Sequence, residues 1–263
     1  DKKEMKIDIK KRICILSVLI MTGCSIYEDR SQCPCLLTLD FSRNEEALLK
    51  DVDVRLYDAN ASSDVTGFTL GDDLTTTALA LSVPRSEILV SVCHPSGMMT
   101  SGTVTIAVGK DCPRVYMYVS RVRTYAEEVT DTVLLHKNHC VMNIITEGNR
   151  MQGYGLTVKG NVCGYGPDGT PLDGKFEYVP SWTGDGTCQV VLPRQKDSSL
   201  ILEIDDGTGV VKKFALGEYV SSVGYDWQSP DLQDINVYMD WNLTEISVDV
   251  EEWNSGHDHE III

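Results

Sequence analysis

Basic side chains are scarce in this sequence: 23 lysines and arginines stand against 39 aspartates and glutamates, a formal net charge of −16 over 263 residues. Residues 1–23 hold six of the basic and three of the acidic groups, leaving 17 against 36, or −19, for the rest. A surface this acidic repels phosphate backbones and anionic headgroups. Nucleic acid is therefore excluded as an expected partner, and attachment to a membrane has to come from something other than charge. Also missing is a membrane-spanning stretch. The N-terminal apolar run, Ile13 to Met21, is about half the roughly 20 residues that a spanning helix needs.

Signs of catalysis are lacking as well. There is no Gly-x-Ser-x-Gly, and the adjacent Cys93 and His94 would point to opposite sides of a strand, which suits no Cys–His dyad. The carboxylate pairs Asp205-Asp206 and Glu251-Glu252 fall in turn-like or solvated contexts. Gly164-Tyr165-Gly166-Pro167-Asp168-Gly169 spells G-x-G-x-x-G, but the dinucleotide fingerprint needs a helix after it. Pro-Asp-Gly makes a hairpin turn instead. His136-Lys137-Asn138-His139-Cys140 offers three metal-ligating side chains without a second cluster to close a tetrahedral site. That stretch reads as a strand start with exposed histidines and a buried cysteine, and His257-Asp258-His259-Glu260 reads as tail. No enzyme, metal or cofactor is expected.

What is present begins with an export signal. Lys6, Lys10, Lys11 and Arg12 precede the short apolar run, and Thr22-Gly23 lead into Cys24. Basic flank, short apolar core and small residues at the cut are the parts of a secretory signal that is removed. Ending in Gly-Cys, the signal resembles the bacterial lipobox, which implies an acylated Cys24 as the first mature residue. Met5 is the natural initiator, with residues 1–4 upstream of it. Two or more acyl chains anchor stably at about 0.8 kcal/mol per buried methylene.

After Cys24 the chain reads as strand and turn. Period-two alternation runs through Asp51–Tyr57, Val104–Val108, Val115–Val119, Ile235–Met239 and Ile246–Val250, the mark of half-buried strands. Pro95-Ser96-Gly97, Gly166-Pro167-Asp168-Gly169 and Asp205-Asp206-Gly207 separate them as turns. One short helix is expected near Glu45 to Leu49. Many short strands at regular spacing indicate β-sandwich architecture. About 240 mature residues make one large β domain or two smaller ones. The alternation breaks at Thr124–Glu128, which places a boundary there, and no linker rich in proline, serine or glycine marks it.

Seven cysteines remain after Cys14 leaves and Cys24 is acylated. Seven is odd, so at least one thiol stays free or pairs between molecules. Cys163 with Cys188 is the preferred pair, both lying in one later segment. The alternative is that most of the seven are small buried apolar groups.

The stretch Thr22-Gly23-Cys24-Ser25-Ile26-Tyr27-Glu28-Asp29-Arg30-Ser31-Gln32-Cys33-Pro34 resembles the N-terminus of the FimB-type fimbrial anchor lipoproteins of Bacteroidales. Leu216–Tyr219, Tyr225-Asp226-Trp227, Leu232–Ile235 and Ile246–Trp253 are similar to that family's closing strands. The doubled Cys33-Pro34-Cys35 departs from the family's single cysteine. The resemblance implies an all-β protein of two tandem transthyretin-like β-sandwich domains after a lipoprotein signal peptide. Its divisions would be 1–23 signal, 24–34 lipidated tether, 35–126 and 127–253 sandwiches, and 254–263 tail. It implies a non-enzymatic subunit that holds a fimbria to the outer membrane by its lipid, with fimbrial stalk subunits joined by strand addition. Glu28 and Asp29 resemble surface-export signals of these bacteria, and Asp131-Thr132-Val133 resembles their O-glycosylation acceptor at Thr132. The competing reading is a lipid-anchored adhesin or glycan-binding module on the same fold, whose aromatic platform would draw on Tyr154, Tyr165, Tyr178, Trp182 and Trp227.

Overall fold

The computed structural model describes residues 33–58, 64–70, 77–146, 153–240 and 246–251. Cys24, Glu28, Asp29, the expected signal peptide, most of the expected tether and the His257–Glu260 stretch lie outside them. Strand β1 (Cys35–Asp40) turns Cys35, Leu37 and Leu39 inward, each at most 1% exposed. Phe41 follows, fully buried, and α1 (Glu46–Leu49) falls where the short helix was expected. Then come β2 (Val52–Asp58), β3 (Asp64–Leu70), β4 (Ala78–Val83) and β5 (Glu87–His94). Two very short strands, β6 (Met99–Thr100) and β7 (Thr103–Thr105), precede β8 (Tyr116–Arg123), β9 (Glu128–Thr132) and β10 (His136–Lys137).

These elements build the first sandwich. A three-stranded sheet, β4-β1-β9, lies over a five-stranded one, β10-β8-β5-β2-β3. Between them sit Leu37, Leu39, Val54, Leu56, Val90 and Val92, all fully buried. Burying each such side chain contributes about 1.5–3 kcal/mol.

The second sandwich starts at β11 (His139–Thr146) and β12 (Gly155–Tyr165), followed by β13 (Pro171–Tyr178), β14 (Thr187–Pro193), β15 (Ile201–Asp205) and β16 (Val210–Phe214). After α2 (Leu216–Ser222) it closes with β17 (Asp234–Met239) and β18 (Ile246–Glu251). Its sheets are β14-β11-β17-β18 and β16-β15-β12-β7-β6, with β13 also on β12. Met142, Ile144, Leu156, Val158, Leu192 and Val237 fill the space between them.

The architecture expected from the sequence, all-β and two sandwiches in tandem, is the one observed. The expected division at 126/127 is not. β9 pairs in parallel with β1, and β10 pairs with β8, so residues 128–137 complete the first sandwich. Conversely, the β6–β7 hairpin leaves the first half of the chain and pairs with β12, Thr105 beside Gly164 and Val104 beside Tyr165. The sandwiches therefore exchange an element, and the boundary moves to about Asn138. Helix α2 was not foreseen. Its signal was the Leu216–Val220 spacing, both fully buried, but Gly217 argued against a helix. A side chain at Gly217 would strike the Ser198 carbonyl, so packing holds the glycine there.

Candidate functional site: the joint and the sheet edges

The segment His136–Cys140, considered above for metal binding, is the joint between the sandwiches. It runs from β10 into β11, and each of its side chains is committed. Lys137 is buried, with Nζ 2.6 Å from Asp234 Oδ1, which also accepts the Val141 N–H at 2.7 Å. Asp231 accepts the Lys137 N–H at 2.7 Å and meets His136 Nδ1 at 3.1 Å. His139 is 1% exposed rather than solvated. Its Nδ1 lies 3.1 Å from the Val115 carbonyl, and its ring stands edge-on to Tyr116 at 5.2 Å. Among the described residues no group of three or more His, Cys, Asp or Glu is placed to hold a metal ion.

Across the joint, Arg194 follows β14 and is 9% exposed. Its guanidinium donates to Asn138 Oδ1 at 3.0 Å and to the carbonyls of Trp227, Ser229 and Pro230 at 2.5, 2.7 and 3.1 Å. The phenol of fully buried Tyr165 donates to the Asn138 carbonyl and accepts the Arg194 N–H. A small third core, with Cys93, Met99, Val104, Val115, Met117 and Tyr165, fills the space beneath the exchanged hairpin. The Arg194 guanidinium and the Tyr165 hydroxyl are both satisfied, which makes their part of the network rigidifying, while Trp227 Nε1 beside them is buried without a partner.

Burial pulls the His139 pKa down to about 4. An unfolded histidine titrates near 6.5, so as pH falls from about 6.5 to 4 only the unfolded chain takes up the proton. Stability is therefore intact above pH 6.5 and declines on acidification, by up to about 3 kcal/mol from this group. His139→Asn, whose amide can still donate to the Val115 carbonyl, is expected to flatten that decline in urea melts at pH 7 and 4.5. Equal slopes for both proteins would refute it.

The two smaller sheets follow one plan. β1 lies between antiparallel β4 and parallel β9, as β11 lies between antiparallel β14 and parallel β17. The second sandwich then adds β18 antiparallel to β17. Among the described residues no strand takes the matching place beside β9. Val129 on β9 and Leu79 and Leu81 on β4 are only partly buried against the core, so the first sandwich is under-covered along both edges of its smaller sheet. Asp131 reaches from β9 across to β8, where its carboxylate accepts the Tyr118 hydroxyl at 2.9 Å. Thr132, beside it, is exposed.

The outer faces of the second sandwich are tied across their strands. On one face Arg114, Gln189, Asn143, Asn236 and Glu251 form an unbroken donor-to-acceptor row, with links of 3.2, 3.0, 3.0 and 2.7 Å. On the other, Lys213, Glu203, Lys159, Glu177 and Lys175 alternate in charge.

The Cys163–Cys188 pairing is not formed. Both are free thiols: Cys188 points into the second core, while Cys163 faces the opposite way on β12, over Gly174 of β13. Cys35, Cys93, Cys112, Cys140 and Cys188 are buried, and desolvation pushes Cys93, Cys140 and Cys188 up to about 12, as expected of small apolar groups. Nor do the five aromatics make a platform. Tyr165 and Trp227 are buried, and Tyr154, Tyr178 and Trp182 pack partly into the second core.

The class defined by this arrangement is a tandem pair of β-sandwiches sharing an exchanged hairpin. No protein-family model matches the sequence, and no curated protein matches it. Solved structures do share the fold. The fimbrial anchor protein Mfa2 of Porphyromonas gingivalis aligns at TM-score 0.58 and 11% identity, over 84% of this chain and 98% of its own. A Bacteroides ovatus protein provisionally described as an adhesin gives 0.59 at 14% identity, over 84% and 95%. A Bacteroides thetaiotaomicron protein provisionally described as polysaccharide-binding gives 0.58 at 13% identity, over 83% and 96%. At such identities the likeness is one of fold.

Proposed function

We propose that this protein is a non-enzymatic fimbrial anchor of the FimB type, held to the outer membrane by acyl chains on Cys24 and joined to the fibre by strand addition. One observation carries the reading: a lipobox-like cysteine stands a short tether ahead of β1, the strand that opens a body with the fold of a known fimbrial anchor. Fold alone does not decide function; the sequence of the tether supplies the rest. An unpaired sheet edge is a template for a neighbour's strand. The edge beside β9 is favoured, because β18 occupies the equivalent place in the second sandwich. Its incoming strand would run antiparallel to β9.

The adhesin reading is weakened by the dispersal of the five aromatics. Deleting the gene is expected to release fimbriae from cells into the medium, and re-expression to return them to the surface. Fimbriae that stay attached and of normal length in the deletion strain would end the proposal.

A further inference from the structure

We infer that β1 is a mechanical clamp, the strand through which tension on the tether enters the body. The inference rests on the anchor reading for the source of that tension; the clamp itself is a property of the strand. A pull on the chain ahead of Cys35 enters at the first residue of β1, while the chain leaves the parallel strand β9 at its far end, so the pair is loaded in shear, lengthwise. That strand is flanked on both sides, by six residue pairs with β4 and five with β9. Its attachment to β9 continues past both ends of the ladder. Leu36 N–H donates to the Glu127 carbonyl, and Val133 N–H to the Asp40 carbonyl, each at 2.8 Å. Leu37, Leu39 and Phe41 key it into the first core without exposed surface.

A strand pulled lengthwise between two neighbours must break its pairs together, whereas an end strand with one neighbour has half as many to hold it. The other end of the body is of the second kind. Among the described strands β18 pairs with β17 alone, and its Val248 and Val250 are only partly buried. Forced unfolding is governed by the barrier to opening, not by equilibrium stability. The two sandwiches therefore differ in resistance even where their folding free energies match.

Optical tweezers holding the full chain, made as Cys24→Ser to keep it free of lipid, by handles at its two ends test this. The second sandwich is expected to open first and the first sandwich last, at about twice the force. Val129→Pro and Thr130→Pro sharpen the test. Adjacent strand residues send their N–H groups to opposite sides, so one of the two prolines removes a donor to β1 and the other a donor facing away. One variant should lower the later rupture force about two-fold and its neighbour leave it nearly unchanged. If neither variant folds, the order of opening in the parent decides alone. A first sandwich that opens first, or equal weakening by both folded variants, would overturn the clamp. Weak β1 together with fimbriae released on deletion would sink the clamp and spare the anchor; strong β1 with fimbriae retained would do the reverse.

Discussion

Replacing Arg194 with leucine is expected to lower the unfolding free energy by about 4 kcal/mol. The guanidinium is buried and bonds four acceptors, the Asn138 amide oxygen and the carbonyls of Trp227, Ser229 and Pro230. Leucine would fill part of the volume and leave the buried Trp227 carbonyl and the three part-buried acceptors without that donor, and each polar group so orphaned costs about 1–3 kcal/mol. Water reaching the loop recovers some of that. For a chain of this size the loss corresponds to about a 10 °C fall in melting temperature. Lysine should not rescue it, since a compact ammonium with three N–H groups cannot serve the four acceptors that the wider guanidinium fork reaches. Urea melts of the two variants would check both statements, and a loss below about 1 kcal/mol would show that Arg194 does not hold the joint.

Gly164→Ala should do comparable damage from the other side. Gly164 sits at φ +149°, open in practice to glycine alone, and a Cβ there would lie 1.9 Å from the Val104 carbonyl oxygen. Backbone, not a flexible side chain, is what it meets, so the β7–β12 pairing must part. Residues forced into such a region cost about 1–3 kcal/mol before any clash is counted; with the hairpin displaced, about 3–5 kcal/mol is expected. Hydrogen exchange offers a direct readout. The amides of Val104–Ile106 should lose protection, while those of β1 and β9 keep it. Unchanged protection at the hairpin would contradict a β7–β12 pairing that depends on Gly164.

Much of this fold was legible because strand alternation is local. Val52, Val54 and Leu56 on β2, and Ile235, Val237 and Met239 on β17, announce their buried face every second residue. Turn chemistry was equally readable: Gly166 and Gly169 close the β12–β13 hairpin that Pro167-Asp168 suggested. What the sequence could not reveal is which sheet a strand joins. Periodicity is the same for β9 whether it pairs with a neighbour or with β1 some ninety positions earlier, as Leu36 beside Glu128 does. The exchanged hairpin is hidden for the same reason, and the 126/127 division failed with it. His139 and Arg194 look like surface residues by type; only the carbonyls gathered from Val115 and from Trp227 to Pro230 make their burial tolerable. The N-terminus is the reverse case: lipid attachment is proposed from Lys10 to Cys24 as sequence alone, and no packing argument bears on it.

Intact-mass analysis of the protein extracted from bacterial outer membranes with detergent is the decisive measurement. A polypeptide starting at Cys24, heavier than its sequence by the mass of two or more acyl chains and partitioning with detergent, is the expected result. An unmodified chain starting elsewhere and remaining in the aqueous phase would contradict attachment through this residue, and the role at the base of a fibre with it.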